Sequence, residues 1–576
     1  MDDAPPRPDA PPTAGPGPGV SRLEVAALAV VGLALAVGSV RALQQGWLPV
    51  GDEALVEMRV RDVPSHFPLL GVYSRFGWSH PGPAQFLSLV LPYRLFGSVG
   101  AGLLVGAMAG HALAVVAAWW VARAVDRMAG VAVLVALELV LLSVPGELVR
   151  TAWNPYVALV MGGLVVVLAW GWAERGRVAA VLLLPVGTLL VQSHIGNAPL
   201  VVGVVAVATA LGLWGHRGDG QSAVPWRPAA FGAGLSAVLW IPPLVEQLTG
   251  DPGNVTRMIE DLSGSEPRVG VSAGAGLVSR FFAWHPAWVD ANTLVEQIAT
   301  TAARLPVWLV VPVAGAVVAV RRSDQAYVRG AVISATALVA TVVAAASIKG
   351  VVFSYLLVGH RSAVAVVMAI GVVSLTRALP ERLLPGTVTV GAALALVLAV
   401  LLGVQQVRAD NPQAVYAPSV EAVVAAVQDA DPGGRPVHMV ATPDDPSRDV
   451  MAGALVRLED GGLDVTTVAS EGWRFGEHRG GDGAGAQQFK VAPPSARQEL
   501  VDNGWRIVDG YQPIPADQMA EIDRLTAERE RVISEGRDAP PDDPLAAARY
   551  ATVQDLAAEI AAVQRGRVPV LVATRG

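Results

Sequence analysis

The sequence contains no cysteine and few charged residues. Cysteine is absent from all 576 residues, which excludes disulfide bonds, thiolate metal sites and a cysteine nucleophile. Lys349 and Lys490 are the only lysines, and no G-x-x-x-x-G-K-[ST] loop for a nucleotide phosphate occurs. Charged residues make up 16% of the chain, with a net charge of -7. Because no long basic run is present, the composition argues against nucleic-acid binding.

Apolar residues are abundant. They account for 53% of the chain, and the mean hydropathy is +0.47, a balance typical of membrane proteins. A helix needs about 20 apolar residues to cross a bilayer, and the apolar stretches predict about eleven transmembrane helices. These stretches are residues 24–43, 101–121, 128–144, 155–172, 178–191, 198–214, 229–245, 305–320, 330–348, 352–375 and 386–404.

Arginines predict the orientation of these spans. They are concentrated in alternate short loops, for example Arg123 with Arg127 and Arg321 with Arg322. Cytoplasmic loops retain positively charged residues. The pattern therefore predicts a multi-pass protein of the plasma membrane with its N-terminus inside and its C-terminus outside.

The composition divides the chain into three parts. Residues 1–22 are rich in proline and predict a disordered cytoplasmic tail. Residues 23–404 predict a helical transmembrane domain with two long outer loops, 44–100 and 246–304. Residues 405–576 alternate strand-like and helical runs, which predicts a soluble α/β domain outside the cytoplasm. The predicted fold class is a mostly α polytopic bundle with a C-terminal α/β domain.

An acidic segment follows the first predicted span. In residues 51–62, GDEALVEMRVRD, a helix would place Glu53, Glu57 and Arg61 on one face. Two interpretations of the acidic pair Asp52-Glu53 stay open. The pair could form a solvated helix start capped by Asp52, or it could carry chemistry at the outer edge of the membrane.

Aromatic and basic residues cluster in residues 71–86, GVYSRFGWSHPGPAQF. Tyr73 and Trp78 could stack on a sugar, and His80 could hydrogen-bond it or carry a proton. An aromatic belt at the membrane interface would have a similar composition. Both interpretations stay open for this cluster, which also contains Arg75.

Three basic residues lie within or beside the late apolar stretches. They are Lys349, His360 and Arg361. Ionisable residues in a span cost about 2.5–3.5 kcal/mol each on insertion scales, so they usually have a function. The alternative is that Arg361 pairs with Glu138 of an earlier span.

Two of these motifs resemble a known family. An acidic pair that opens the first outer loop, here Asp52-Glu53, is followed by a His-Pro-x-Pro element that starts at His80. This combination resembles the GT-C superfamily, in particular the branch with protein mannosyltransferases, aminoarabinose transferases and actinobacterial arabinofuranosyltransferase-like enzymes. Gly82 lies inside the second motif, where the usual form is closer to His-Pro-Pro.

The resemblance implies a membrane glycosyltransferase. Such an enzyme moves a sugar from a polyprenyl-phosphate donor to a cell-envelope glycan, lipid or protein on the outer face, by inverting attack of an acceptor hydroxyl. It needs a base and a positively charged phosphate site, and a divalent metal is an open possibility. We expect Asp52 as the base, with Glu53 in reserve. The expected donor-phosphate ligands are Lys349, His360 and Arg361, and the expected substrate-binding residues are Tyr73, Arg75, Trp78, His80, Asn154 and His194.

Two other functional classes fit parts of the sequence. A transporter or flippase would also have many spans and intramembrane charges, but such proteins often show repeats and a midplane site, and we find neither in the sequence. A non-catalytic receptor for a cell-wall polymer would account for the C-terminal domain but not for Asp52, His80 and Arg361.

Overall fold

A computed structural model describes residues 21–214, 224–264, 266–286, 303–350, 352–430, 432–443, 445–537, 546–564 and 567–575. Most of the predicted tail, residues 1–22, therefore lies outside the described residues. So does part of the predicted outer loop 246–304.

The first three quarters of the chain are helical. The helices are α1 (Arg22–Gln45), α2 (Gly51–Asp62), α3 (Ala84–Leu95), α4 (Ala101–Val125), α5 (Arg127–Leu142), α6 (Gly146–Arg150), α7 (Asn154–Val157), α8 (Met161–Ala173), α9 (Arg177–Ser193), α10 (Ala198–Trp214), α11 (Trp226–Thr249), α12 (Asn254–Ser263), α13 (Gly270–Ser279), α14 (Val310–Arg321), α15 (Gln325–Ala346), α16 (Val358–Thr376) and α17 (Leu384–Arg408).

Eight helical segments among the described residues are long and apolar enough to cross a membrane. They are Arg22–Gln45, Ala101–Val125, Asn154–Ala173, Ile195–Trp214, Trp226–Thr249, Gln325–Ala346, Ser354–Thr376 and Leu384–Asp429. The other three predicted spans coincide with α5, α9 and α14, which are also helices but shorter. The structure confirms a mostly helical chain with many segments apolar enough to cross a membrane. Among the described residues eight, rather than about eleven, also have the full length.

Small residues allow the central helices to approach closely. α8 is buried along its whole length, and it packs against α16. At Gly162 an added Cβ would lie 1.8 Å from the carbonyl oxygen of Gly359. Any larger residue would force these helices apart, as expected where membrane helices pack through small side chains.

Two helices follow the first span, and the acidic segment forms one of them. Residues 51–62 form α2, and residues Ala84–Leu95 form α3. α2 packs against α3 on one side and the C-terminal domain on another. The second outer loop is tied to the first through Asn254, whose amide accepts from the Ser79 backbone N–H and donates to the Ser79 carbonyl oxygen, both at 2.8 Å. These contacts assemble one end of the bundle.

The C-terminal domain is an α/β unit, as predicted. Its six-stranded sheet has the order β3-β2-β1-β4-β6-β5; β1 to β4 run parallel, and β6 is antiparallel to both neighbours. The elements are α18 (Ala417–Asp429), β1 (Val437–Ala441), α19 (Ser447–Asp460), β2 (Val465–Val468), α20 (Gly472–Phe475), β3 (Gly480–Gly481), β4 (Gln487–Ala492), α21 (Arg497–Asp502), β5 (Arg506–Tyr511), α22 (Ala516–Arg537), α23 (Ala546–Gln564) and β6 (Val570–Arg575).

Ion pairs join α2 to this domain, and we call this contact the domain junction. Arg479 donates to both carboxylate oxygens of Asp62 at 2.9 Å and to Glu459 at 2.5 Å. Arg61 of α2 pairs with Glu57 at 3.3 Å and with Asp460 at 2.9 Å. Buried charges are stable only when paired, so these contacts fix how the domain sits on α2.

Candidate active site

Asp52 lies in the first turn of α2. The helix begins at Gly51 with a positive φ of 51°, and its N-cap, Val50, makes no side-chain capping hydrogen bond. Asp52 Oδ1 accepts a hydrogen bond from the Tyr73 hydroxyl at 2.5 Å, and Oδ2 accepts one from Trp153 Nε1 at 3.0 Å. The interpretation of Asp52 as a mere helix cap is therefore wrong.

The surroundings of Asp52 change its proton affinity. Burial raises the pKa of Asp52, while the hydrogen bonds from Tyr73 and Trp153 and the positive charge of Arg448 pull it down. The net shift is upward. General bases work best when their pKa lies near the operating pH, and an upward shift moves a carboxylate in that direction.

The C-terminal domain holds Tyr73 in place. The Arg474 guanidinium lies 4.0 Å from the centre of the Tyr73 ring, and Trp473 meets that ring edge-on at 5.7 Å between centroids. Both residues belong to α20. Cation–π and edge-to-face contacts orient an aromatic ring. The domain therefore positions the phenol that donates to Asp52.

A cavity of about 570 Å³ opens beside Asp52. Eight of the predicted site residues line it, from both outer loops and from several helix ends. They are Asp52, Tyr73, Arg75, Trp78, His80, Asn154, His194 and Lys349. Much of the remaining lining is apolar, including Val255, Met258, Ile259, Leu262, Ala344 and Ile348. The structure thus brings together most of the residues selected from the sequence.

Two histidines share one wall of this cavity. His80 Nδ1 accepts from the Ile195 backbone N–H at 3.3 Å, and His194 Nδ1 accepts from the Gly196 N–H at 3.2 Å. Their rings lie 4.8 Å apart between centroids. Burial lowers the pKa of His80 well below its usual value and that of His194 to about 4. Burial therefore favours the neutral ring in both residues, and because Nδ1 accepts, each ring carries its hydrogen on Nε2.

Two cations lie at another part of the wall. Lys349 Nζ donates to the Asp261 carboxylate at 3.0 Å and to the Asp261 backbone oxygen. Arg75 donates to the Lys349 carbonyl oxygen at 2.8 Å, and its guanidinium lies 4.9 Å from the Phe76 ring centre and 5.0 Å from that of Phe353. Asp261 thus holds Lys349 at the cavity edge, while a backbone hydrogen bond and ring stacking hold Arg75 there.

Aromatic rings connect the carboxylate to these cations. Trp153, which donates to Asp52, lies 4.9 Å from Tyr355 between ring centroids. Tyr355 stacks on Phe353 at 5.2 Å, and Phe353 in turn contacts Arg75. The base candidate and the cations therefore sit at opposite ends of an aromatic row.

Three predicted residues do not line the cavity. Glu53 accepts a hydrogen bond from Thr151, and burial raises the pKa of Glu53 to about 7. His360 is buried behind the wall, with its Nε2 3.3 Å from the Gly196 carbonyl oxygen. Arg361 follows it in α16 and is 2% exposed. The carboxylate oxygens of Glu138 have no hydrogen-bond partner among the described residues, so no such bond joins Glu138 to Arg361 there.

One group of side chains has the spacing of a metal site. Asp62, His66 and His478 place ligand atoms within 4.8 Å of one another. Both Asp62 oxygens, however, accept from Arg479 at 2.9 Å, and Arg59 is also within 3.5 Å. Because these positive charges already neutralise the carboxylate, the group does not fit a divalent cation.

Sequence reasoning missed several residues of this site. Trp153 stands in a Trp-Asn-Pro turn that marks a helix start, and only its neighbour Asn154 was selected. Arg448, Arg474 and Asp261 belong to segments without a recognisable motif, and no local signal marks them. Their roles depend on contacts between distant parts of the chain, which one sequence does not display.

No protein-family model and no curated protein matches this chain. Its fold is similar to the crystal structure of ArnT from Cupriavidus metallidurans bound to undecaprenyl phosphate, with a TM-score of 0.47, and to that of ArnT from Cupriavidus metallidurans in the apo state, with a TM-score of 0.49. The identity is 15% in both cases. The match covers 84% of this chain and 95% and 96%, respectively, of the two solved chains.

Proposed function

We propose that this protein is a membrane glycosyltransferase that moves a sugar from a polyprenyl-phosphate donor to a hydroxyl of a cell-envelope acceptor. One observation carries the proposal. A largely apolar cavity at the end of a membrane bundle holds the Asp52 carboxylate at one side and the Arg75 and Lys349 cations at another. This arrangement supplies a base and a charge-stabilising site in one space.

The proposed reaction is a single displacement with inversion. Asp52 accepts the proton of the acceptor hydroxyl as its oxygen forms a bond to the anomeric carbon of the donor sugar. The bond between that carbon and the phosphate oxygen breaks, and its electron pair leaves with polyprenyl phosphate. The hydrogen bonds from Tyr73 and Trp153 keep the carboxylate in one orientation while it receives the proton.

The donor phosphate is assigned to the cationic part of the wall. An ammonium has three donors, and Lys349 directs two toward Asp261. The Glu266 carboxylate lies 4.0 Å from Nζ, too far for a hydrogen bond, so the third donor is assigned to a phosphate oxygen. Arg75 adds a guanidinium suited to phosphate. The apolar side chains nearby, including Met258 and Ile348, suit the first isoprenoid unit. Of the other expected phosphate ligands, His360 contacts Gly196 behind the histidine wall, and Arg361 is buried next to it in α16.

Incubation of the purified protein with radiolabelled polyprenyl-phosphate sugars tests the proposal. A panel of donor sugars is combined with cell-envelope extracts, and label transferred to extract components is separated from lipid-linked label. We expect transfer from at least one donor. If no donor yields transfer while reconstituted vesicles move the lipid between leaflets, the protein is a flippase and the proposal is wrong.

The proposed reaction takes place at the outer face of the plasma membrane, where the cavity and the C-terminal domain lie at the same end of the bundle. The arginine pattern of the short loops supports this orientation. A phosphatase reporter that folds only outside the cytoplasm, fused after Gly576, should be active. Activity of a cytoplasm-specific reporter at the same position would reverse the orientation.

A further inference from the structure

A second cavity, of about 600 Å³, lies on the other side of Trp78. The loop after α2, the turn between α11 and α12, and the segment 473–478 of the C-terminal domain enclose it. Trp78 and Ser79 line this space, and Trp78 also lines the cavity beside Asp52. The two spaces are therefore neighbours at Trp78.

Aromatic side chains give the second cavity its chemical character. Phe67, Trp78 and Trp473 line it together with polar groups. Phe67 is 47% exposed. An exposed phenylalanine ring does not stabilise the fold by burial. Trp78 is 7% exposed, and its Nε1–H has no acceptor among the described residues. A buried donor without a partner is unfavourable, and a ligand oxygen beside Trp78 would satisfy it.

The charges in the second cavity balance. Two arginines and two glutamates line it, namely Arg59, Arg257, Glu246 and Glu477. The pKa of His478 is lowered by burial and by Arg479, which favours the neutral ring. A polyanion would need an excess of basic residues. Aromatic faces beside balanced polar groups fit an uncharged carbohydrate, whose apolar ring faces stack on aromatic side chains.

We propose that the second cavity binds the acceptor as an uncharged oligosaccharide, whose terminal hydroxyl reaches Asp52 past Trp78. This inference rests on the proposed function and adds the class of acceptor. Trp473 links the two spaces, because it lines the second cavity and also contacts Tyr73, the hydrogen-bond donor to Asp52. The C-terminal domain then contributes to acceptor binding and not only to the position of the catalytic carboxylate.

Two variants test the binding site. Phe67→Ala removes an exposed ring that is not among the contacts of Tyr73, and Trp473→Ala removes the ring from the C-terminal domain. Trp505→Ala is the matched control, since Trp505 belongs to the same domain but does not line the cavity. The probes are short neutral oligosaccharides and uronic-acid oligosaccharides of equal length. Binding is measured by titration calorimetry without donor.

We expect neutral probes to bind the wild-type protein and the Trp505→Ala variant, and about tenfold more weakly to Phe67→Ala and Trp473→Ala. In transfer assays with a neutral acceptor, the acceptor KM should rise about tenfold, with a smaller change in kcat for Phe67→Ala. Trp473→Phe should restore much of the affinity.

Two results overturn the inference. They are preferential binding of the uronic-acid probes, and an acceptor KM that stays at the wild-type value in both alanine variants. Either result leaves the proposed sugar transfer standing. Conversely, calorimetric binding that depends on Phe67 and Trp473 in a protein without transferase activity would retain the carbohydrate site and refute the proposed reaction.

Discussion

The acidic residues on the two sides of α2 have different hydrogen-bonding partners. At the domain junction, Glu57 and Asp62 are buried and paired with arginines. On the cavity side, Asp52 accepts from two neutral donors, Tyr73 and Trp153, and no salt bridge to it is present among the described residues. Acidic residues of one short helix can therefore have different roles. Burial raises the pKa of Glu57, to about 7, as well as that of Asp52. Of these two acids, only Asp52 lines the cavity, so only its carboxylate lies within reach of a bound substrate.

The largest expected effect comes from the cavity side. Asp52→Asn keeps the shape of the side chain but removes its ability to accept a proton, so transfer should fall by about 100-fold to 10,000-fold. Donor binding, measured with polyprenyl phosphate, should change little. Glu147→Gln is the control, because Glu147 lies in α6 outside this cavity. Transfer at the parent rate by a folded Asp52→Asn protein would eliminate Asp52 as the base.

The next effect concerns the donor phosphate. Arg75→Ala should weaken binding of polyprenyl phosphate by about 10-fold to 150-fold, since charge-assisted hydrogen bonds are worth about 1.5–3 kcal/mol. Arg94→Ala removes an exposed arginine of α3 and should have no such effect. If a folded Arg361→Ala protein lost this affinity while Arg75→Ala kept it, the phosphate site would include Arg361, as expected from the sequence, and not Arg75.

A smaller effect is expected on the pH profile. The Tyr73 hydroxyl lowers the pKa of Asp52, so Tyr73→Phe should raise that pKa further. Because Asp52 must be deprotonated to act as a base, the acid limb of the rate profile should move to higher pH. Tyr93→Phe is the counterpart on the junction side, where Tyr93 contacts Glu57 at 3.2 Å. If both variants shift the limb equally, the hydrogen bond to Asp52 is not its cause.

The smallest effect on rate is expected for Glu53. Burial raises the pKa of Glu53 from 4.5 to about 7, so the folded protein holds this proton more tightly than the unfolded chain. Its contribution to stability is present below pH 4.5 and is lost as pH rises through 7. Glu53→Gln should therefore raise Tm at pH 8 but not at pH 4, with transfer unchanged. A strong loss of transfer would make Glu53 the base.

The fold was largely predictable from the sequence, and part of the site was too. Apolar runs of membrane-spanning length can only form helices in a bilayer, which is why every predicted span coincides with a helix. Asp52, His80 and Arg75 were selected because charged and aromatic residues next to such runs are conspicuous. Local composition does not determine whether these three residues line one cavity, because that depends on how the helices pack.

The sequence by itself determined the bundle, the α/β character of residues 405–576 and the candidate acid pair, because hydropathy and strand patterns are local properties. The tertiary structure decided which acid of that pair faces the cavity. It also brought Arg474 and Trp473 to Tyr73 and buried Arg361 outside the cavity lining. The physical reason is that pairing and burial depend on residues hundreds of positions apart, whose approach is set by packing of the whole chain.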